Sequence, residues 1–97
     1  MIDVQVRTES GDIVVHGSCG LDWKAVGRID EDEFPFLGSL LPYADTMFNS
    51  RQTERLRREI ADQSVSQILG RDAVAEIERL CLQVKNGPHL YLWFLGD

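Results

Sequence analysis

Apolar and polar positions alternate at the start of the chain. Ile2, Val4 and Val6 are apolar, and Asp3, Gln5 and Arg7 stand between and after them. A period of two predicts a half-buried strand, because successive side chains of a strand point to opposite faces. Glu9-Ser10-Gly11-Asp12 reads as a hairpin turn, and the β-branched run Ile13-Val14-Val15-His16 as a second strand. Gly17-Ser18-Cys19-Gly20 breaks that run. Leu21, Trp23 and Ala25, followed by Val26 and Ile29, predict a third strand over residues 21–29, interrupted by Gly27.

The period changes in the second half. Asn49 with Gln52 three residues on matches a helix N-cap and its capping-box partner. The helix they start is expected to run to about Ser64, with Leu56 and Ile60 on a narrow inner face. Gly70 separates it from a second helix that Asp72 can cap. Val74, Ile77, Leu80, Cys81 and Val84 give that helix a wide apolar stripe, and Asn86-Gly87-Pro88 stops it. His89-Leu90-Tyr91-Leu92-Trp93-Phe94-Leu95 is too short for a helix after Pro88 and is apolar on both faces. That is the signature of a strand inside a sheet, here expected to pair with an N-terminal strand. Leu90, Leu92 and Phe94 would face one way, and Tyr91, Trp93 and Leu95 the other.

Between these halves lies Asp30-Glu31-Asp32-Glu33, then Phe34-Pro35-Phe36-Leu37-Gly38-Ser39-Leu40-Leu41-Pro42-Tyr43. Two prolines and a glycine deny this stretch a long helix and leave room for a short turn around Ser39-Leu40-Leu41. It is too apolar for an ordinary surface loop, so it either covers the core or meets a partner. Asp45 and Thr46 can bond their own backbone, which predicts an ordered loop that aims the following helix.

Together these elements predict one α+β domain over residues 1–97. Its sheet is antiparallel or mixed, with three to four strands: an N-terminal hairpin or meander and a central final strand. Two helices pack on one face. The length and the 43% hydrophobic content are enough for a core without disulfides or metal.

Charge narrows the function classes. Nine acids against three bases put the whole net charge of −6 on residues 1–48, and residues 49–97 balance. An acidic half repels phosphate, which argues against nucleic acid and fits a basic protein partner. No apolar run is long enough for a membrane helix. Cys19 and Cys81 form no C-x-x-C pair and no leader pattern precedes them, so reduced thiols and a cytoplasmic location are expected.

No catalytic pattern stands out. His16-x-x-Cys19 and Cys81-x7-His89 are not standard zinc spacings. Nothing places either histidine beside Cys19 for a thiol nucleophile, and no glycine-rich phosphate loop occurs. Phe34 and Pro35 end the acidic run before it can form a calcium loop. No metal, cofactor or catalytic residue is therefore expected. Arg51, Arg55 and Arg58 lie near one helix face, with ion pairs expected for Glu54 with Arg58, Arg55 with Glu59, and Arg58 with Asp62.

Three motifs, Phe34-Pro35-x-Leu37, Pro42-Tyr43-x-Asp45-Thr46-x-Phe48-Asn49-x-x-Gln52 and Pro88-His89-Leu90-Tyr91-Leu92-x-Phe94-x-Gly96-Asp97, resemble a group of small uncharacterised bacterial proteins. No activity comes with that resemblance. By size and charge it suggests an immunity protein that neutralises a basic toxin. The expected function is thus a non-enzymatic protein-binding domain. Asp30, Glu31, Asp32 and Glu33 would form its acidic rim, with Phe34, Phe36, Tyr43 and Asp45 beside it. The alternative is a small-ligand binder or enzyme with a pocket near Tyr43, Asp45 and His89. A homodimer through the Phe34–Tyr43 segment is the third reading.

Overall fold

The computed structural model describes residues 1–96. Along the chain run β1 (Asp3–Thr8), β2 (Ile13–His16), α1 (Trp23–Val26), α2 (Pro35–Gly38), β3 (Thr46–Phe48), α3 (Ser50–Ile60), α4 (Gln63–Leu69), α5 (Arg71–Asn86) and β4 (Leu90–Leu95). The strands form one antiparallel sheet in the order β2-β1-β4-β3. The final strand is interior and pairs with β1 along its whole length, from Asp3 opposite Leu95 to Thr8 opposite Leu90. This is the α+β class that the periodicity predicts.

The β1–β2 hairpin closes as its composition suggests. Thr8 and Asp12 are joined by a backbone bond of 2.9 Å, and Gly11 takes φ +93°, a conformation that costs glycine little. The register shifts between Val6 and Arg7, a bulge that interrupts the regular ladder at the sheet edge.

Residues 21–29 do not form the expected strand. Leu21 alone bridges to Ile2, with reciprocal backbone bonds of 2.8 Å. The Asp22 carboxylate then accepts the Lys24 backbone N–H at 3.0 Å and caps the single turn of α1. The buried residues are Leu21, Ala25, Val26 and Ile29, a spacing of three to four that belongs to a helix face. Trp23, which suggested alternation, is only half-buried.

The segment after the acidic run covers the core. Pro35 opens α2, where a missing N–H costs nothing. Phe34, Leu37 and Leu40, three residues apart, are all buried. Glu59 of α3 holds this turn in place: its two carboxylate oxygens accept the N–H groups of Phe36 at 3.0 Å and Leu37 at 2.9 Å. These would otherwise be orphan donors at the start of a helix.

The helical half is more divided than its pattern suggests. The capping box of Asn49 and Gln52 is formed, with both bonds at 2.9 Å. The helix stops at Ile60, however, because Asp62 caps a separate helix, α4, by accepting from Ser64 N at 2.9 Å. Gly70 at φ +92° joins α4 to α5 and serves as the N-cap of α5, with Asp72 in the first turn instead. Leu56 and Ile60 of α3, and Ile77, Leu80, Cys81 and Val84 of α5, pack in one core with Val4, Val6, Leu92 and Phe94 of the sheet. Phe48 links the layers through edge-on contacts with Phe36 at 5.5 Å and Phe94 at 5.8 Å. No helix among the described residues is long and apolar enough to cross a membrane.

Candidate functional site

The helices cover one face of the sheet and leave the other open. Alternation along β4 divides its side chains: Leu92 and Phe94 are buried, whereas Tyr91, Trp93 and Leu95 are half-buried. Trp93 lies opposite Gln5 on one side and Met47 on the other, and Gln5 lies opposite His16. One row therefore crosses all four strands as His16, Gln5, Trp93 and Met47. On one side of it stand Arg7 and Tyr91, and on the other Asp3 and Leu95. Asp45, one residue before β3, continues the register to a position across from Leu95.

Polar contacts organise the centre of this face. The Arg7 guanidinium lies 4.8 Å from the centre of the Trp93 ring, within the range of a cation–π contact. Its Nε donates to Gln5 Oε1 at 2.9 Å, and the Gln5 amide reaches His16 Nδ1 at 3.5 Å. The Trp93 Nε1–H is shielded from water and finds no acceptor among the described residues. Met47 is 49% exposed, and Ile13 and Val14 at the bulged edge are exposed as well. Tryptophan, tyrosine, arginine and methionine are the residue types enriched at protein interfaces, and here they share one uncovered face.

The sequence-predicted site residues fall into three separate places. Asp30, Glu31, Asp32 and Glu33 are exposed in the connection between α1 and α2, on the helical layer. Phe34, expected beside them on a binding surface, is 7% exposed and belongs to the core. Phe36 is half-buried against Phe48 and its N–H is held by Glu59. Phe34 is thus internal and Phe36 partly covered, because α2 turns its Phe34–Leu37–Leu40 face inward.

Tyr43 and Asp45 lie at the Leu95 end of the sheet, and Tyr43 is 84% exposed. Gly96 fixes that loop by close approach: a Cβ there would fall 2.6 Å from Ala44 N and 2.8 Å from Pro42 O. His89 precedes β4 at the opposite end and faces Glu9 at 3.8 Å. A strand of six residues, about 20 Å long, separates His89 from Asp45, so the pocket expected between them is not assembled. Asp97, the last residue of the C-terminal motif, lies outside the described residues.

The charged helix surface is occupied by internal pairs other than those expected. Arg57 bridges Glu78, at 2.8 Å, and Glu54, at 3.2 Å, in a groove lined also by Ile60, Ala61 and Val74. Hydrogen bonds to Glu78 and then Glu54 raise the Arg57 pKa above its ordinary value. Glu59 caps α2, and Asp62 bonds Ser64. Among the described residues no group of three or more His, Cys, Asp or Glu side chains is arranged to hold a metal ion.

Comparison with family models, with curated proteins and with solved structures finds no match to this chain. The functional reading therefore rests on its own geometry. Trp93, Arg7, Met47, Tyr91 and Leu95 are the residues that sequence reasoning passed over as a site. For Tyr91, Trp93 and Leu95 the signal was the two-sided apolar pattern of the final strand, which fits equally well a strand covered on both faces; Arg7 and Met47 join them only through strand pairing.

Proposed function

We propose that this chain is a non-enzymatic protein-interaction domain that works through the open face of its sheet. One observation carries the reading: the Trp93 ring, with Arg7 stacked on it and Met47 and Tyr91 beside it, lies on a face that no described element covers. A central aromatic anchor surrounded by polar and charged side chains is the usual anatomy of a binding hot spot.

A photoreactive residue in place of Met47, compared with one in place of the exposed Gln67 of α4, tests this in the source cell. Adducts from position 47 and none from position 67 are expected. Adducts from position 67 alone, or from neither position, would contradict it.

A second reading keeps the acidic run as a contact. Asp30, Glu31, Asp32 and Glu33 are all exposed, and no ion pair among the described residues engages them. This favours a basic partner on the helical layer, as for an immunity protein that neutralises a basic toxin. Such an association would weaken steeply with salt, since exposed charges are screened over about 10 Å at 0.1 M. Crosslinks that form from Glu33 and not from Met47, and vanish at high salt, would favour it.

A further inference from the structure

We infer that the occupant of the open sheet face is a protein segment that presents a carboxylate side chain to Arg7, with apolar side chains around it. The inference rests on the reading of that face as an interaction surface and names the chemistry it receives. Arg7 pairs in register with Tyr91, yet its guanidinium lies 4.8 Å from the centre of the neighbouring Trp93 ring. The bond from its Nε to Gln5 Oε1, at 2.9 Å, holds it there. That bond uses Nε alone. No acceptor among the described residues takes Nη1 or Nη2, and no ion pair among them engages Arg7.

A guanidinium at the centre of a face decides what the face can accept. Covering it with apolar or basic groups strands a charge with unfilled donors, which is costly. A carboxylate fills both terminal nitrogens at once, in the two-pronged geometry that suits arginine. The Trp93 Nε1–H also lacks an acceptor among the described residues, which adds to the surplus of donors. Tyr91, Met47 and Leu95 stand around this centre and suit apolar neighbours of the acid.

Acids elsewhere on the face limit the charge of the partner. Asp3 lies four residues along β1 from Arg7, about 13 Å. Asp3 and Asp45 are both exposed at the Leu95 end of the face. A single carboxylate over Arg7 stands beyond the screening length of about 10 Å at 0.1 M salt and is little repelled by Asp3. A polyanion such as nucleic acid would run along the face into these acids, and the net charge of −6 opposes it as a whole.

Two capped dipeptides test this: acetyl-glutamyl-phenylalanine amide and its glutaminyl isostere. Each is titrated to about 50 mM into the full chain carrying 5-fluorotryptophan, with the Trp93 fluorine signal as the readout. The glutamyl peptide is expected to shift that signal saturably, with a dissociation constant in the millimolar range. The glutaminyl peptide should bind at least about threefold more weakly. R7Q should remove the difference, and circular dichroism confirms that the variant is folded. Equal binding of the two peptides would overturn the inference. So would glutamyl binding unchanged in R7Q, or no shift with either peptide. Phenyl phosphate bound more than about tenfold tighter than the glutamyl peptide would overturn it in favour of a phosphate-bearing partner. Photoreactive crosslinking from position 47 separates this inference from the reading beneath it. Adducts that survive R7Q undiminished overturn the carboxylate and leave the interaction surface standing. Adducts that R7Q abolishes support both. No adduct from position 47 in the otherwise unaltered chain overturns both.

Discussion

Glu76 holds Ser18 across 58 positions of sequence: its carboxylate accepts the Ser18 N–H at 2.7 Å and the Ser18 hydroxyl at 3.1 Å. Arg79, one turn along α5, donates to the same carboxylate at 2.8 Å. The glutamate is only 8% exposed, so the β2–α1 loop is fastened to the helical layer by a buried, fully partnered charge. Burial alone would push its pKa up. The hydrogen bonds from Arg79 and Ser18, with the nearby Arg79 charge, outweigh that and hold it below the ordinary glutamate value.

A depressed carboxylate pKa adds stability above the unfolded value, and that stability is lost as pH falls through the folded value. E76Q should therefore lower the unfolding free energy at pH 7 by about 1–3 kcal/mol. The gap between wild type and E76Q should close as the pH is taken well below the ordinary glutamate range. Urea unfolding across that pH series measures it. A gap that is constant with pH would mean that the carboxylate charge contributes nothing.

Glu59 plays a matching part at α2. Replacing it with alanine leaves the Phe36 and Leu37 N–H groups without acceptors and should cost about 1 kcal/mol, as the loss of a helix cap does. Hydrogen exchange at these two amides, expected to accelerate selectively in E59A, reports the local effect. Uniform acceleration throughout the chain would instead indicate a loss of global stability.

Much of the architecture was legible in sequence because local and tertiary preferences agree there. Asn49 and Gln52 announce a capping box, Ile2 to Arg7 alternate, and Pro88 leaves the apolar run Leu90 to Leu95 no choice but a strand. Elsewhere two signals competed. Asp22 and Asp62 are helix caps that sit inside stretches read as a strand and as a continuing helix, and a capped turn needs only a few residues. Thr46–Phe48 is three residues long, too short for alternation to register, and its pairing with β4 is a tertiary fact. For the site, the apolar segment Phe34 to Tyr43 buries Phe34, Leu37 and Leu40 and exposes Leu41 and Tyr43. Whether such a segment faces in or out depends on the Glu59 clamp, and nothing local to the segment reveals that contact.

The two thiols should behave oppositely. Burial, with a smaller push from the Glu78 charge, raises the Cys81 pKa to about 12. Cys19 is partly exposed. A thiol reagent should modify Cys19 in the folded protein and reach Cys81 only on unfolding. Because the folded-state pKa of Cys81 is raised, its neutral form contributes stability below the ordinary thiol pKa, and that contribution declines as pH rises toward about 12. The urea midpoint of wild type should fall between about pH 8 and about pH 10.5, and that of C81A should fall less. Equal slopes would contradict the assignment.

The two tryptophans of the chain report on opposite sides of the molecule, and only one side is proposed to meet a partner. Trp93 lies on the open sheet face, and Trp23 lies in α1 against the helical layer. With 5-fluorotryptophan at both positions, fluorine NMR gives one signal from each. Adding concentrated extract of the source cell is expected to shift or broaden the Trp93 signal and leave that of Trp23 in place. Movement of the Trp23 signal alone, or of neither signal, would contradict the assignment of the working surface to the sheet.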